Sequence, residues 1–384
     1  MASMLAENWS QSGTDKAVFF DLCKKVDENT AYIPVTSPEL RSFDCADAAN
    51  LNYGVSTVLS KSTLAAEGVD DIFDELKASK APLMAANGEV LFSNNRAVAE
   101  IANLRGLHGS ALVKPSKKRD AFITELADGV KMTAVVRRQG AVGKVLSIRS
   151  DKYQAIPLKE MEEILYGFLD NDVIGKYKVI GWEMDQDTAI LQLEFPDIGD
   201  DIKDMYPDIK DTWYPGVYFK SGTTGYTPVS VEMYYRRVDS NGNISEPVFA
   251  GRAYAKHFAA FNKAAFIKKV QDDIWGRYLQ MPDKLNAFAQ VIYAQAELET
   301  IIKKIFSFIK LNKVFQKKDT ETCRYLDKLW ESALTQAKNI ANIQVVTLYD
   351  IVNIVMDLPD RITVPAAYAD LLRETCGRAW TYDI

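Results

Sequence analysis

Between residues 213 and 256 the chain reads as a three-strand meander, a pattern that confines it to folds built on antiparallel sheet. Within 229–238, Val229, Val231, Met233 and Tyr235 alternate with Ser230, Glu232, Tyr234 and Arg236, giving one apolar and one polar face. Asp239-Ser240-Asn241-Gly242 tolerates positive φ, so the chain can reverse there and return through 244–254. An earlier reversal at Ser221-Gly222-Thr223-Thr224-Gly225 joins 217–220 to the same sheet.

Hairpins are also expected at 83–85 with 90–92 around Asn87-Gly88, at 131–138 with 142–149, and at 177–184 with 188–195. Apolar residues at helical spacing predict helices over 69–77, 95–104, 120–127 and 158–169. Residues 17–26 read as a short helix or strand, and Ser37-Pro38 as the opening of a helical turn. From His257 onward the period becomes helical, with helices expected at 257–279, 285–315, 320–341, 347–358 and 365–376. The fold class is therefore α+β: an antiparallel sheet of hairpins with helices on one face, followed by a C-terminal helical domain.

A chain of 384 residues, 47% hydrophobic, exceeds what one core usually supports. Three units are expected: an N-terminal mixed α/β region at 1–119, an antiparallel α+β domain at 120–256 and a helical domain at 257–384. No stretch reaches the ~18 apolar residues of a spanning helix, and the first residues lack the basic start and apolar run of a secretory signal, so a cytoplasmic protein without membrane contact is expected. Cys23, Cys45, Cys323 and Cys376 lie far apart with no CxxC pair, which suggests reduced thiols and no zinc or redox motif.

The net charge of −6 argues against bulk attraction to nucleic acid, but the charge is segregated. Residues 114–152 hold ten Lys/Arg against four Asp/Glu, 183–211 hold two against ten, and 263–328 hold thirteen against eight. Lys114-Pro115-Ser116-Lys117-Lys118-Arg119 is the sharpest basic cluster, read either as a solvated linker or as a phosphate-contacting loop. The candidate nucleic-acid residues are Lys114, Lys117, Lys118, Arg119, Arg137, Arg138 and Lys144, with Tyr234 and Tyr235 as stacking faces. The aspartates of 197–211 match neither a calcium loop nor a paired catalytic site, and no metal or cofactor is assigned. No catalytic residue is assigned either; His257, with Asp239 or Glu232, is the first place to look for one.

The passages 145–169 (VLSIRSDKYQAIPLKEMEEILYGFL), 213–227 (WYPGVYFKSGTTGYT), 253–258 and 347–355 (TLYDIVNIV) resemble a large family of uncharacterised phage- and plasmid-associated proteins. Members typically show a strand ending in a Y-x-x-(I/V) turn into a helix, a later strand with a serine-glycine turn, and a histidine at the head of helices, a position that His257 fits. The likeness begins near Lys131 and covers about two thirds of the chain; a cysteine-asparagine-glycine turn expected before the histidine is replaced by the neighbourhood of Asp239–Gly242. It implies a mobile-element origin, hence a host cytoplasm, and carries no catalytic residues.

The resulting expectation is a non-enzymatic protein that associates with nucleic acid, single strands in recombination or replication being the suggested substrate, as a homo-oligomer. The alternatives are a structural or assembly protein in which an acidic segment of one subunit meets a basic segment of the next, and an enzyme whose site is assembled from distant residues.

Overall fold

The structure is a computed structural model that describes residues 3–41, 51–53, 57–59, 61–107, 114–169, 176–207, 209–239, 241–242, 244, 248–257, 260–309 and 320–361. The N-terminal elements run β1 (Ser10–Gly13), α1 (Lys16–Glu28), β2 (Thr30–Thr36), β3 (Glu39–Arg41), β4 (Leu51–Tyr53), β5 (Thr57–Leu59), α2 (Lys61–Ala66), α3 (Asp70–Ser79), β6 (Leu83–Ala86), β7 (Glu89–Ser93), α4 (Asn95–Leu104), α5 (Lys117–Ala127), β8 (Lys131–Gln139) and β9 (Val142–Ser150). Then follow α6 (Glu160–Leu169), β10 (Lys178–Asp185), β11 (Ala189–Glu194), α7 (Pro196–Met205), β12 (Thr212–Ser221), β13 (Val229–Val238) and β14 (Val248–Ala255). The last part holds α8 (Lys263–Val270), a π-helical turn at Gln271–Trp275, α9 (Gly276–Gln290), β15 (Ile292–Tyr293), α10 (Leu298–Ile309), α11 (Thr320–Ala341), β16 (Val346–Thr347) and α12 (Leu348–Arg361).

Two six-stranded sheets carry the α+β architecture. The first has the order β2-β8-β9-β7-β6-β3, with β7 and β9 parallel and every other pair antiparallel. Its alternating side chains fill two cores. Leu91, Met84, Val136 and Ile148 pack with Val98 and Ile101 of α4 and Ile123 of α5; Val90, Phe92 and Leu83 pack on the other face with Ile72, Phe73 and Leu76 of α3. The second sheet, β1-β10-β11-β12-β13-β14, is wholly antiparallel. Its inner residues Leu191, Leu193, Val217, Phe219, Val231 and Met233 share one core with α1, α6 and the C-terminal helices.

Local chemistry explains the elements that position the candidate site. Asn94 caps α4 by accepting from the Ala97 N–H at 2.7 Å, and Ser116 caps α5 by accepting from the Arg119 N–H at 3.1 Å. Asn95 at the start of α4 accepts from Arg119, while Arg105 just past its end donates to the carbonyls of Leu126 and Asp128 at the end of α5. The two helices therefore lie side by side and parallel, with their positive ends together.

The unit boundaries differ from expectation. A break at 119/120 would cut α5, and β8–β9 belong to the first sheet because they pair with β2 and β7; the change of sheet comes after Ser150. Strand β1 and helix α1 cross back to the second sheet, and the C-terminal helices complete its core rather than forming a separate one. Ser37 adopts φ 58° and leads into β3, not a helical turn. The acidic stretch after Pro196 forms helix α7, and the single helix expected over 285–315 is broken: α9 ends at Gln290, β15 pairs with β16, and Glu297 accepts from the Ala294 N–H to start the next helical segment. Helix 257–279 likewise begins only at Lys263, under an Asn262 cap. The expected helix at 365–376 lies outside the described residues.

Candidate functional site: the seam between the two sheets

One face of the first sheet is shared. Near β7 it is covered by α3, and over β2, β8 and β9 it meets the turn Ser221–Thr227 that leaves β12 and the turn joining β10 to β11. Three polar side chains of β8 and β9 on that face, Arg137, Ser147 and Arg149, bond the first of these turns. Ser147 Oγ donates to the Thr224 carbonyl at 3.0 Å, Arg149 Nε to the same oxygen at 2.6 Å, and Arg137 Nη2 to Thr223 Oγ1 at 3.1 Å. Tyr153, just past β9, donates its hydroxyl to the Thr223 carbonyl at 2.8 Å.

Asp187, in the other turn, joins the seam to α4. It accepts from Arg96 Nη1 at 2.5 Å and Nη2 at 2.9 Å, a two-pronged pair, and from Thr224 Oγ1 at 2.7 Å. Two glycines permit the close approach. A Cβ on Gly222 would lie 2.0 Å from the Asp187 carbonyl oxygen, and Gly225, at φ +78°, sits against the Tyr153 ring.

At the mouth of the seam Tyr226 is 43% exposed, and two guanidinium groups lie close to its ring, Arg149 at 4.0 Å and Arg96 at 4.5 Å from the centroid. Behind them Glu100 accepts from the Ile148 N–H at 2.7 Å and faces Arg149 at 3.6 Å. Burial pushes its carboxyl up to about 7, against the opposing pull of Arg149 and Arg96. His257 stacks on Tyr153 at 5.5 Å, and its Nε2 lies 3.1 Å from the Thr227 carbonyl. A carbonyl only accepts, so Nε2 carries the proton it gives to Thr227; burial lowers the ring's pKa, against the opposing backbone contacts to Thr227 and Gln154. Neither Asp239 nor Glu232 serves this histidine: Asp239 accepts from the Asn241 N–H, and Glu232 pairs with Lys220 and Arg252.

Arg137 is the outlier of the seam. Its side chain is fully buried, Nε donates to Thr30 Oγ1 at 2.7 Å, and no carboxylate among the described residues lies within ion-pair distance of it. Burial pulls it down to about 10, although Asp27 and Asp187 act on it from farther off. Both carboxylates are already engaged, Asp27 by the N–H groups of Leu158 and Lys159 and Asp187 by Arg96 and Thr224. The other buried cations of this unit are matched at close range. Lys144 meets Glu75 and the Leu5 carbonyl, and Arg119 meets Asp120 and Asn95. An unmatched interior ion costs several kcal/mol by order of magnitude. Among the described residues, twelve shielded side-chain atoms make no hydrogen bond; Tyr32 Oη, Arg96 Nε, Arg137 Nη1 and Ser221 Oγ lie on this seam, as do Glu100 Oε1 and Arg149 Nη2, which face each other at 3.6 Å. Buried polar atoms are ordinarily satisfied, so the unmet donors of the seam call for a physical explanation.

The sequence-selected strand-binding residues are only partly available. Lys114, Lys117 and Lys118 are exposed at the head of α5, and Arg138 is half-exposed beside Glu89. Arg119, Arg137, Lys144, Tyr234 and Tyr235 are buried and offer no open surface. Tyr235 points into the core against Trp213, as its place in the apolar set requires. Tyr234 points the other way but lies flat over Gly216, and its hydroxyl donates to the Leu193 carbonyl at 2.9 Å. Arg96, Glu100, Asp187 and Tyr226 were missed. Each is unremarkable in its own segment, and only the glycines of 221–225 hinted that something packs closely there.

No helix among the described residues is long and apolar enough to cross a membrane. No family model, curated protein or solved structure matches this chain.

Proposed function

We propose that the protein binds a single nucleic-acid strand at the mouth of the seam, with Tyr226 as the stacking platform. The observation that carries this reading is the Tyr226 ring, 43% exposed at the mouth of the seam with the Arg96 and Arg149 guanidinium groups close by. A base can pack against the exposed part of such a ring while the exposed lysines at the head of α5 meet its phosphates. Further support comes from α4 and α5, whose positive ends lie together: Arg96 is in the first turn of one, and Lys117 and Lys118 open the other. This moves the stacking role from Tyr234 and Tyr235 to Tyr226 and retains Lys114, Lys117 and Lys118 as phosphate contacts.

Fluorescence anisotropy of a labelled single-stranded oligonucleotide, titrated at ~50 and ~200 mM salt, tests it. Binding that weakens with salt is expected. Tyr226→Ala should loosen it about tenfold, the low end of the ~1–3 kcal/mol of one stacked base, and Lys118→Ala should reduce the salt slope by about one. No binding at ~50 mM salt ends the proposal.

A further inference from the structure

We infer that the interior of the seam is a binding site for a small oxyanion of the phosphate class, held by Arg137 between the two sheets. The inference starts from a guanidinium that the fold buries completely without a close carboxylate, and whose Nη1 has no acceptor. Two more shielded hydroxyls without hydrogen bonds are carried by the two segments that Arg137 bonds. Tyr32 lies two residues from Thr30, the strand partner of Arg137, and its ring is 6.0 Å from that of Tyr153. Ser221 lies two residues before Thr223, which bonds both Arg137 and Tyr153. Arg137 Nη1, Tyr32 Oη and Ser221 Oγ are all able to donate, which is the complement of an oxyanion and not of a metal ion.

A tetrahedral oxyanion supplies what Asp27 and Asp187 cannot, a negative charge free to sit against Arg137. Bound there, it would join β2 and β8 of the first sheet to the Ser221–Thr227 turn of the second. The site differs from the strand-binding mouth in depth: Tyr226 is open to solvent, whereas Arg137 is wholly enclosed.

The test is thermal denaturation of the full chain in inorganic phosphate, with chloride at matched ionic strength as reference and sulfate as a second oxyanion. Wild type should show a saturable rise in Tm, roughly 5 °C once the site is filled. Arg137→Met should abolish the rise and melt, without phosphate, at or above the wild-type temperature, because it removes an uncompensated interior charge at similar volume. Arg137→Lys, which keeps the charge but loses the planar fork, should need at least tenfold more phosphate. Equal melting of wild type in phosphate and chloride overturns the inference, as does a phosphate response that survives in Arg137→Met. Oligonucleotide binding by Arg137→Met separates the two sites: it stays at the wild-type value if the mouth and the interior act independently, and a strand proposal that fails leaves the phosphate response untouched.

Discussion

The seam and the outer face of the second sheet handle the same kinds of residue in opposite ways. On the outer face three cations lie over a tyrosine and beside a carboxylate: Arg236 with Tyr214 and Glu194, Lys220 with Tyr218 and Glu232, Arg252 with Tyr254 and Glu232. Charge is matched locally. In the seam three arginines meet backbone carbonyls, threonine hydroxyls and two carboxyls, and the deepest arginine has no close counter-charge. Matched pairs report stability; the mismatch is what points to a ligand.

The largest expected effect sharpens the seam side. The Glu100 carboxyl sits near 7 in the folded protein against an ordinary 4.5, so the folded state holds its proton more tightly. Its contribution is fully present below about pH 4.5, is lost as the pH rises towards 7, and is constant above that, a fall of roughly 3 kcal/mol at ~1.4 per pH unit. Urea denaturation of wild type and Glu100→Gln between pH 4.5 and 8 checks it. The amide variant should lack this decline; an identical decline in both proteins assigns it to other groups.

Arg236→Met examines the outer face. It leaves Glu194, which is 3% exposed, without its two-pronged partner, and a loss of about 2–3 kcal/mol is expected, below the ~3–5 of a fully enclosed pair. Opposite signs for Arg236→Met and Arg137→Met in the same denaturation experiment would confirm the contrast. Equal losses would break it.

Gly222→Ala presses a methyl group onto the Asp187 carbonyl and should cost about 1–3 kcal/mol, with a weaker phosphate response because the Ser221–Thr227 turn is displaced. The smallest effect belongs to Arg252→Met. Its side chain is more than half exposed at the rim of the outer face, and a change within about 0.5 kcal/mol is expected by thermal denaturation.

Much of the architecture was legible because it repeats at short range. Strand 229–238 and helix 320–341 have the expected bounds, and the 83–92 hairpin turns at Asn87 and Gly88, both with positive φ. The long helix expected at 285–315 was misread because apolar spacing runs on through a capped break at 294–297. The candidate site was legible only as raw material. A run of basic residues says nothing about which will be enclosed, so Lys118 and Arg137 look alike in the chain, yet one ends in water and the other in a seam.

What the amino-acid order determined by itself is many of the strands and helices, since alternation, helical spacing, caps and turn residues act between neighbours a few positions apart. What only the tertiary structure decided is which polar side chains face one another. Arg96 and Asp187 are 91 positions apart, and Arg137 and Thr223 are 86 apart. Their meeting follows from how two sheets pack, and burial then turns an ordinary arginine into an unmatched interior charge.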